Sequence, residues 1–236
     1  MAMADRGWTG GLGIGAIAFY LAHGTGTPRG WLVLALLLLW SGRLGWHLLR
    51  DRVLPGREDP RYAALARHWG ENAGRNFFFL FLVQIPFVAL FLFPVSIAMA
   101  NPAAFGIWSD WAGLAIGILA LSGESLADRQ LAAFRARPEN SGAVCRSGLW
   151  GYSRHPNYFF EWVHWWAYVA FAWGGDGALW ALTGPLAMYV FLRFLTGIPP
   201  AERSSLRSRG EAYREYQKTT NAFFPWKPKQ PNMAKA

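Results

Sequence analysis

The sequence predicts an all-α fold: a polytopic membrane bundle of about six transmembrane helices, followed by a C-terminal amphipathic helix at the membrane interface. Three observations support this prediction. The composition is 53% hydrophobic and only 16% charged, the apolar residues are grouped into long runs, and the basic residues fall between alternate runs. A soluble protein of this length does not need uncharged runs that match the thickness of a bilayer.

The longest apolar runs are long enough to cross a membrane as helices. Residues 77–99 form 23 consecutive positions without a charge, and a helix of about 20 residues spans the hydrocarbon layer. Residues 31–49 and 178–197 are of similar length, and each contains one arginine, Arg43 or Arg193. Three shorter runs complete the predicted six, and they are residues 8–23, 112–122 and 158–173.

The basic residues are concentrated on one predicted side of the membrane. Six lie in residues 50–75, five in 129–154 and eight after residue 197, whereas the intervening loops after the third and fifth runs contain none. The positive-inside rule therefore places both termini in the cytoplasm. The net charge of +9 follows from this topology, so it requires no nucleic acid, and membrane lipids with anionic headgroups are the expected partners.

The remaining composition constrains the domain organisation. We expect residues 1–227 to form a single membrane-embedded domain and residues 228–236 to be a disordered tail. Cys145 is the only cysteine, so an intramolecular disulfide and a cysteine-based metal cluster are not expected. The five histidines show neither HxxxH nor HxH spacing, and we assign no metal. Gly11 and Gly15 form a GxxxG pair, which favours close helix packing.

The polar residues of the fifth run predict a functional site. Pro156 favours a helix that begins at this position. The polar residues that follow on this helix are Asn157, Glu161, His164 and Tyr168. Their spacings of 4, 3 and 4 place them on one face, which we expect to look inward. A carboxylate in so apolar a segment usually marks a site, and a hydrogen-bond network that joins helices is the structural alternative.

The fourth run carries a second group of candidate residues, because it continues into a polar helix. Glu124, Asp128 and Arg135 lie at i, i+4 and i+11 and share one helical face. A guanidinium group matches phosphate oxygens at two positions, so Arg135, Arg137 and Arg146 form a candidate phosphate site. A solvated helix end with an internal ion pair is the alternative.

Two positions in earlier runs are candidate substrate contacts. Gln84, which is followed by Pro86, either bonds a carbonyl that the proline frees or faces a substrate cavity. Trp40 shares one stripe of the second predicted helix with Arg43 and His47. Arg43 is not expected to face lipid.

Three segments of the chain carry a resemblance to a known family. They are ESLADRQLAAF at 124–134, GLWGYSRHPNYFFEW at 148–162 and GEAYREYQKTTNAFFPWKPK at 210–229. Together they resemble the bacterial membrane proteins related to steroid 5-alpha-reductase. The most specific element is the string R-H-x-N-Y-x-x-E, which also resembles the tail of membrane sterol reductases. It consists here of Arg154, His155, Asn157, Tyr158 and Glu161.

The resemblance implies an NADPH-dependent oxidoreductase of the bacterial inner membrane. Its implied reaction is hydride transfer to a carbonyl-conjugated carbon–carbon double bond of a steroid-like or other lipidic small molecule. The cofactor contacts that it implies are Asp128, Arg135, Asn157, Tyr158 and Glu161, with Asp51 and Arg52 as weaker matches. The candidate catalytic residues are Tyr158, Glu161 and Gln84, and the candidate substrate contacts are Trp40, Gln84 and Glu124.

The predicted start of the fifth helix favours an anion independently of the resemblance. Free backbone N–H groups and the positive end of the helix dipole lie beside Arg154 and His155, which favours a phosphate or diphosphate. Asn157 and Glu161, one turn apart, are able to hold a carboxamide by donating and accepting hydrogen bonds. Holding it would fix the face of the nicotinamide ring that meets the substrate.

One position departs from the steroid enzymes, and two other functions remain open. Trp40 occupies the place of a tyrosine that polarises the substrate ketone, and an indole N–H donates a hydrogen bond but no proton at neutral pH. A membrane methyltransferase that uses S-adenosylmethionine, of the isoprenylcysteine carboxyl methyltransferase type, shares the R-H-P part of the string. A lipid-binding or scaffold protein is the third alternative, and it predicts no cofactor binding.

Overall fold

The computed structural model describes residues 2–24, 26–49 and 60–229, and the regular secondary structure of these residues is helical, without any β-strand. The all-α prediction is therefore confirmed for the described chain. The helices are α1 (Ala2–His23), α2 (Pro28–Leu48), α3 (Pro60–Trp69), α4 (Ala73–Leu82), α5 (Gln84–Ala100), α6 (Trp108–Arg135), α7 (Pro156–Ala172), α8 (Thr183–Val190) and α9 (Ile198–Thr219). Short 3-10 helices and loops connect them.

Two helical runs in the described residues are long and apolar enough to cross a membrane. They are Leu65–Ala100 and Ala178–Thr219, and only 17% and 28% of their most apolar windows are buried. An apolar helix surface that is so little covered by protein is typical of a surface that contacts lipid or a partner. The number of crossings, about six, stays a prediction.

The longest apolar run, residues 77–99, lies within one of these two helical runs and contains a junction between two helices. α4 ends at Leu82 and α5 begins at Gln84, with Val83 between them. Pro86 lies in the first turn of α5, where its missing N–H costs no helical hydrogen bond. Gln84 is therefore the first residue of a helix, and its side chain is half-buried.

The last apolar run is also irregular. A 3-10 helix at Ala178–Leu182 leads into α8, and a π-helical turn at Phe191–Leu195 follows it. α9 is the predicted C-terminal amphipathic helix, and it begins at Ile198. It is kinked at Gly210, whose φ of 53° and ψ of −124° lie in a region that glycine tolerates best.

The chain divides into two compact units. Unit 1 comprises Met1–Gly113 and Tyr168–Gly184, and unit 2 comprises Leu114–Ala167 and Pro185–Ala236. The single domain over residues 1–227 remains a prediction. The predicted tail begins at residue 228; residues 228–229 are exposed and non-helical, and residues 230–236 lie outside the described residues.

Helices α1 and α5 pack closely in unit 1. A Cβ atom added to Gly15 would lie 2.4 Å from Leu92 Cδ1, and one added to Gly11 would lie 3.2 Å from Val88 Cγ2. The predicted role of the GxxxG pair in close packing is confirmed.

Unit 1 also contains a buried ion pair that the sequence did not indicate. The Nε and Nη2 atoms of Arg29 donate to the two carboxylate oxygens of Asp110 at 2.6 and 3.0 Å. Its other N–H groups donate to the carbonyls of Asn101, Ala103 and Ala104 at 3.1, 2.6 and 3.0 Å. Arg29 therefore joins the start of α2 to the loop before α6 and to the first turn of α6.

Candidate functional site

Helix α7 begins at Pro156, as the sequence predicts. The side chains of His164 and Tyr168 are both 0% exposed, while Asn157 and Glu161, nearer the start of the helix, are half-buried. The C-terminal part of the predicted polar face thus looks inward, as expected, and the face becomes more accessible toward its N-terminal end. That end belongs to unit 2, and Tyr168 belongs to unit 1.

Asn157 is held in place from α6. Its Nδ2 atom donates a hydrogen bond to Asp128 Oδ1 at 3.3 Å, which orients the amide because a carboxylate only accepts. The other amide atom, Asn157 Oδ1, is buried and has no hydrogen-bond partner. Leaving such an acceptor unsatisfied costs about 1–3 kcal/mol, so a donor on a bound molecule would be favoured at this position.

A glycine in α6 allows α7 to approach the acidic residues. A Cβ atom added to Gly123 would lie 2.4 Å from both Cδ1 and Cε1 of Phe160. The next residue, Glu124, is only 3% exposed. Arg135, the last residue of the same helix, is exposed. The predicted residues of α6 therefore range from a buried carboxylate to an exposed cation.

His155 occupies the turn before α7, which consists of residues 148–155. Its backbone N–H donates to Ser153 Oγ at 3.1 Å. Its ring lies parallel to the ring of Tyr158, with centroids 5.4 Å apart and an interplanar angle of 8°. The imidazole Nε2 atom is buried and has no hydrogen-bond partner.

The charge state of His155 is controlled by its surroundings. Its Nε2 atom lies 3.5 Å from Glu202 Oε1, which is longer than the usual limit of about 3.2 Å for an N–H···O bond. Burial lowers the pKa of His155; Glu202 opposes this effect, while Arg154 and Arg193 add to it. The imidazole is therefore neutral at neutral pH, and it is not a fixed cation for a phosphate.

Arg154 is engaged by the C-terminal part of the chain. Its Nε and Nη2 atoms lie 2.7 and 2.6 Å from Glu202 Oε1. Its Nη1 atom donates to the carbonyls of Gln217 and Thr220 at 3.1 and 2.5 Å. These contacts use four of the five guanidinium N–H groups, and the side chain is 10% exposed.

The structure brings some of the predicted residues together and separates others by unit. It joins Asp128 to Asn157 by a hydrogen bond and His155 to Tyr158 by ring stacking. Trp40, which is 0% exposed, and Gln84 belong to unit 1. The predicted contacts of these two residues with substrate remain predictions. The weaker cofactor candidates, Asp51 and Arg52, lie outside the described residues.

Sequence reasoning missed Glu202 and its neighbour Gln217. Glu202 is the only acidic residue between positions 177 and 210 and directly follows Pro199, Pro200 and Ala201. An isolated acid at the start of a cationic helix was a signal that could have drawn attention to it. In the described residues, no three His, Cys, Asp or Glu side chains form a group that could hold a metal ion.

Fold and site together define a class: an all-α protein with strongly apolar helical runs and a polar cluster at the N-terminal end of one largely buried helix. The chain belongs to DUF1295, a protein family whose description states that its function is unknown, and the match covers residues 1–220. Neither the curated proteins nor the solved structures that were compared with the chain contain a match.

Proposed function

We propose that this protein is a membrane-embedded, NADPH-dependent reductase that transfers hydride to a carbonyl-conjugated carbon–carbon double bond of a steroid-like or other lipidic substrate. The resemblance of three segments to steroid 5-alpha-reductase-like proteins supports the reaction class. The single structural observation that carries the proposal is the buried acceptor Asn157 Oδ1, which has no partner.

The atoms at the start of α7 fit a nicotinamide carboxamide. Asn157 Oδ1 would accept a hydrogen bond from the carboxamide N–H, because its own amide nitrogen already faces Asp128. Glu161 lies one turn further along the same face. Arg135, exposed at the end of α6, offers a guanidinium for a phosphate. When bound, NADPH supplies the hydride.

The protein must also stabilise the oxygen that becomes negative and deliver a proton to the substrate. Hydride addition to one carbon of a conjugated double bond moves negative charge onto the carbonyl oxygen, and a hydrogen-bond donor there lowers the barrier. The other carbon of the double bond then takes a proton. The candidate proton donors are Tyr158 and Glu161, and Tyr158 is oriented by its stacking on His155. Gln84 would act only through a bound water, because a neutral amide donates hydrogen bonds but does not release a proton.

A membrane location agrees with the chemistry of the substrate. We place the protein in a bacterial inner membrane with both termini in the cytoplasm. The two long apolar helical runs and the predicted sidedness of the basic residues support this placement. A lipidic substrate would then enter from the bilayer, and a water-soluble cofactor from the side that is rich in arginine.

The proposal is tested by cofactor binding in detergent. The purified protein should bind NADPH, and Asn157→Ala, Arg135→Ala and Glu161→Ala should each weaken binding by roughly 10-fold, which corresponds to the loss of one hydrogen bond or ionic contact. Asp176→Ala, which removes an exposed acid in unit 1, is the matched control and should leave the affinity unchanged. Unchanged affinity in all three site variants would refute the site. Binding of S-adenosylmethionine without any response to NADPH would favour the methyltransferase.

A further inference from the structure

The C-terminal segment, residues 198–229, is bonded to the turn before α7 at successive positions. These contacts involve backbone as well as side chains, so they hold the path of the turn and not only its surface. The hydrogen bonds run from Tyr216 Oη to Trp150 O, from Trp226 N to Tyr152 O (3.0 Å), from Ser153 Oγ to Phe223 O (2.8 Å) and from Arg154 N to Asn221 O (2.8 Å).

Glu202 lies at the centre of this attachment. Its Oε1 atom accepts from Nε and Nη2 of Arg154 at 2.7 and 2.6 Å, and its Oε2 atom accepts from Gln217 Nε2 at 3.0 Å. The side chain is 18% exposed. By contrast, the pair of Glu211 and Arg214 on the same helix is 64% and 65% exposed. The carboxylate of Glu202 is therefore the shielded acid of α9.

Arg154 extends the attachment to the end of α9. The carbonyls of Gln217 and Thr220 that it contacts lie at the C-terminus of that helix. Carbonyls there have no partner within the helix, and the negative end of the dipole favours a cation. Glu202 and this helix end together enclose the guanidinium, so it is directed toward α9 and not toward an external anion.

We propose that Glu202 is a positioning residue of the cofactor site: it holds Arg154 on the C-terminal segment and so fixes the turn that sets the place of His155 and Asn157. This inference rests on the proposed function. It assigns Arg154 to the support of the turn, and Arg135, exposed at the end of α6, stays the proposed contact for a cofactor phosphate.

If the turn loses its support from Glu202 and Arg154, the contact most affected should be the hydrogen bond that orients the Asn157 amide. The turn passes directly into Pro156, whose ring fixes φ, so a displacement of the turn carries the first turn of α7 with it. The hydrogen bond from Asn157 Nδ2 to Asp128 Oδ1 is 3.3 Å long, whereas the usual N···O distance is about 2.9–3.0 Å. A small further displacement would break it and release the amide that is proposed to meet the nicotinamide.

Hydrogen exchange without any cofactor tests the attachment itself. Glu202→Gln keeps the shape of the side chain but removes its charge, and exchange in residues 148–155 and 213–222 should become roughly 10- to 100-fold faster. Exchange in α1 and α2 should not change. Glu211→Gln, the same substitution at an exposed ion pair of α9, is the matched control. Equal exchange in the two variants would overturn the proposal.

Two probe ligands separate positioning from general damage. NADPH carries the nicotinamide, whereas adenosine 2′,5′-bisphosphate carries only the adenosine and phosphate end. Glu202→Gln should lower the affinity for NADPH by roughly 10-fold. The affinity for the bisphosphate should stay within about 2-fold of the wild-type value. Equal weakening of both probes would overturn the positioning role. A wild-type protein that binds neither probe would overturn the proposed function, while the exchange experiment would still decide whether Glu202 holds the turn.

Substitutions of Arg154 distinguish support from direct phosphate binding. Lysine keeps the charge and binds phosphate, but its ammonium group cannot reproduce the four contacts of the guanidinium. Arg154→Lys should therefore speed exchange in the turn as much as Arg154→Gln does, and both should retain affinity for the bisphosphate. If Arg154→Gln loses the bisphosphate while Arg154→Lys retains it, Arg154 contacts phosphate directly and the proposal is wrong.

Discussion

Among the residues that the structure describes, a shielded arginine–carboxylate pair occurs in each unit, and the two pairs differ in what adjoins them. In unit 1, Arg29 and Asp110 are 0% and 1% exposed, and the other contacts of the guanidinium are backbone carbonyls of one loop. In unit 2, Arg154 and Glu202 are 10% and 18% exposed. This second pair lies beside the unpartnered imidazole nitrogen of His155.

The difference separates a pair that only joins elements from a pair that also supports a site. Arg29 connects segments that are far apart in sequence, and none of its contacts is a residue of the candidate site. Arg154 lies in the string R-H-x-N-Y-x-x-E, next to His155 and three residues before Asn157. Loss of the first pair should therefore affect stability alone, and loss of the second should affect stability less and cofactor binding more.

The largest expected effect is the loss of the pair in unit 1. Arg29→Ala leaves the carboxylate of Asp110 buried without its partner, and the free energy of unfolding should fall by about 3–5 kcal/mol. Denaturant titration in detergent, followed by tryptophan fluorescence, measures it. The double variant Arg29→Met with Asp110→Leu should recover part of the loss, because it leaves no buried charge. A decrease below about 1 kcal/mol for Arg29→Ala would contradict the structural role of the pair.

The next effect is a loss of stability in acid that depends on Glu202. Burial raises the pKa of this carboxyl group, but His155 and Arg154 outweigh burial and lower the pKa from its ordinary value of 4.5 to about 2. The resulting stability is complete above pH 4.5 and is lost as the pH falls toward 2. The loss should be roughly 2–3 kcal/mol, less than the shift alone implies because the pair is partly exposed. Denaturant titrations of wild type and Glu202→Gln across this pH range measure the loss. If the free energy of unfolding depends on pH in the same way in both proteins, the prediction is wrong.

His155 should extend this acid sensitivity to higher pH. Its pKa is lowered from the ordinary value of 6.5 by burial, so the unfolded chain takes up a proton before the folded one does. The contribution of His155 to the free energy of unfolding is present above pH 6.5 and is lost as the pH falls below that value. Replacing the imidazole in His155→Gln should remove this part of the profile and should also reduce the part due to Glu202, because His155 contributes to the lowered pKa of that carboxyl group. An unchanged profile would show that His155 does not titrate differently on folding.

The smallest effect compares two glycines that allow close helix packing. The atom that a new Cβ on Gly15 would meet is the end of the flexible Leu92 side chain, whereas a Cβ on Gly123 would meet the ring of Phe160. Gly123→Ala should lower the free energy of unfolding by about 1–2 kcal/mol, because a ring in a packed site cannot move aside easily. Gly15→Ala should cost less than about 1 kcal/mol, since alanine also favours a helix. Thermal unfolding of the two variants measures the difference, and an equal cost would contradict the role assigned to Phe160.

By itself, the sequence determined the local structure of this protein. Apolar runs and their periodicity predicted an all-helical fold, and Pro156 predicted the start of α7, because proline fixes φ and lacks an N–H. The 4, 3, 4 spacing from Asn157 to Tyr168 predicted an inward polar face, since side chains of one helix repeat with its period. These properties depend on residues that are close along the chain, so they can be predicted from the amino-acid sequence alone.

Only the tertiary structure decided which charges pair. Arg29 lies 81 residues from Asp110, and Arg154 lies 48 residues from Glu202. With 23 basic and 14 acidic residues in the chain, the sequence allows many such pairs, and it indicated a phosphate or diphosphate as the partner of Arg154. The pairing depends on which distant segments the fold brings within about 4 Å, because only at that distance does an ion pair repay the loss of water.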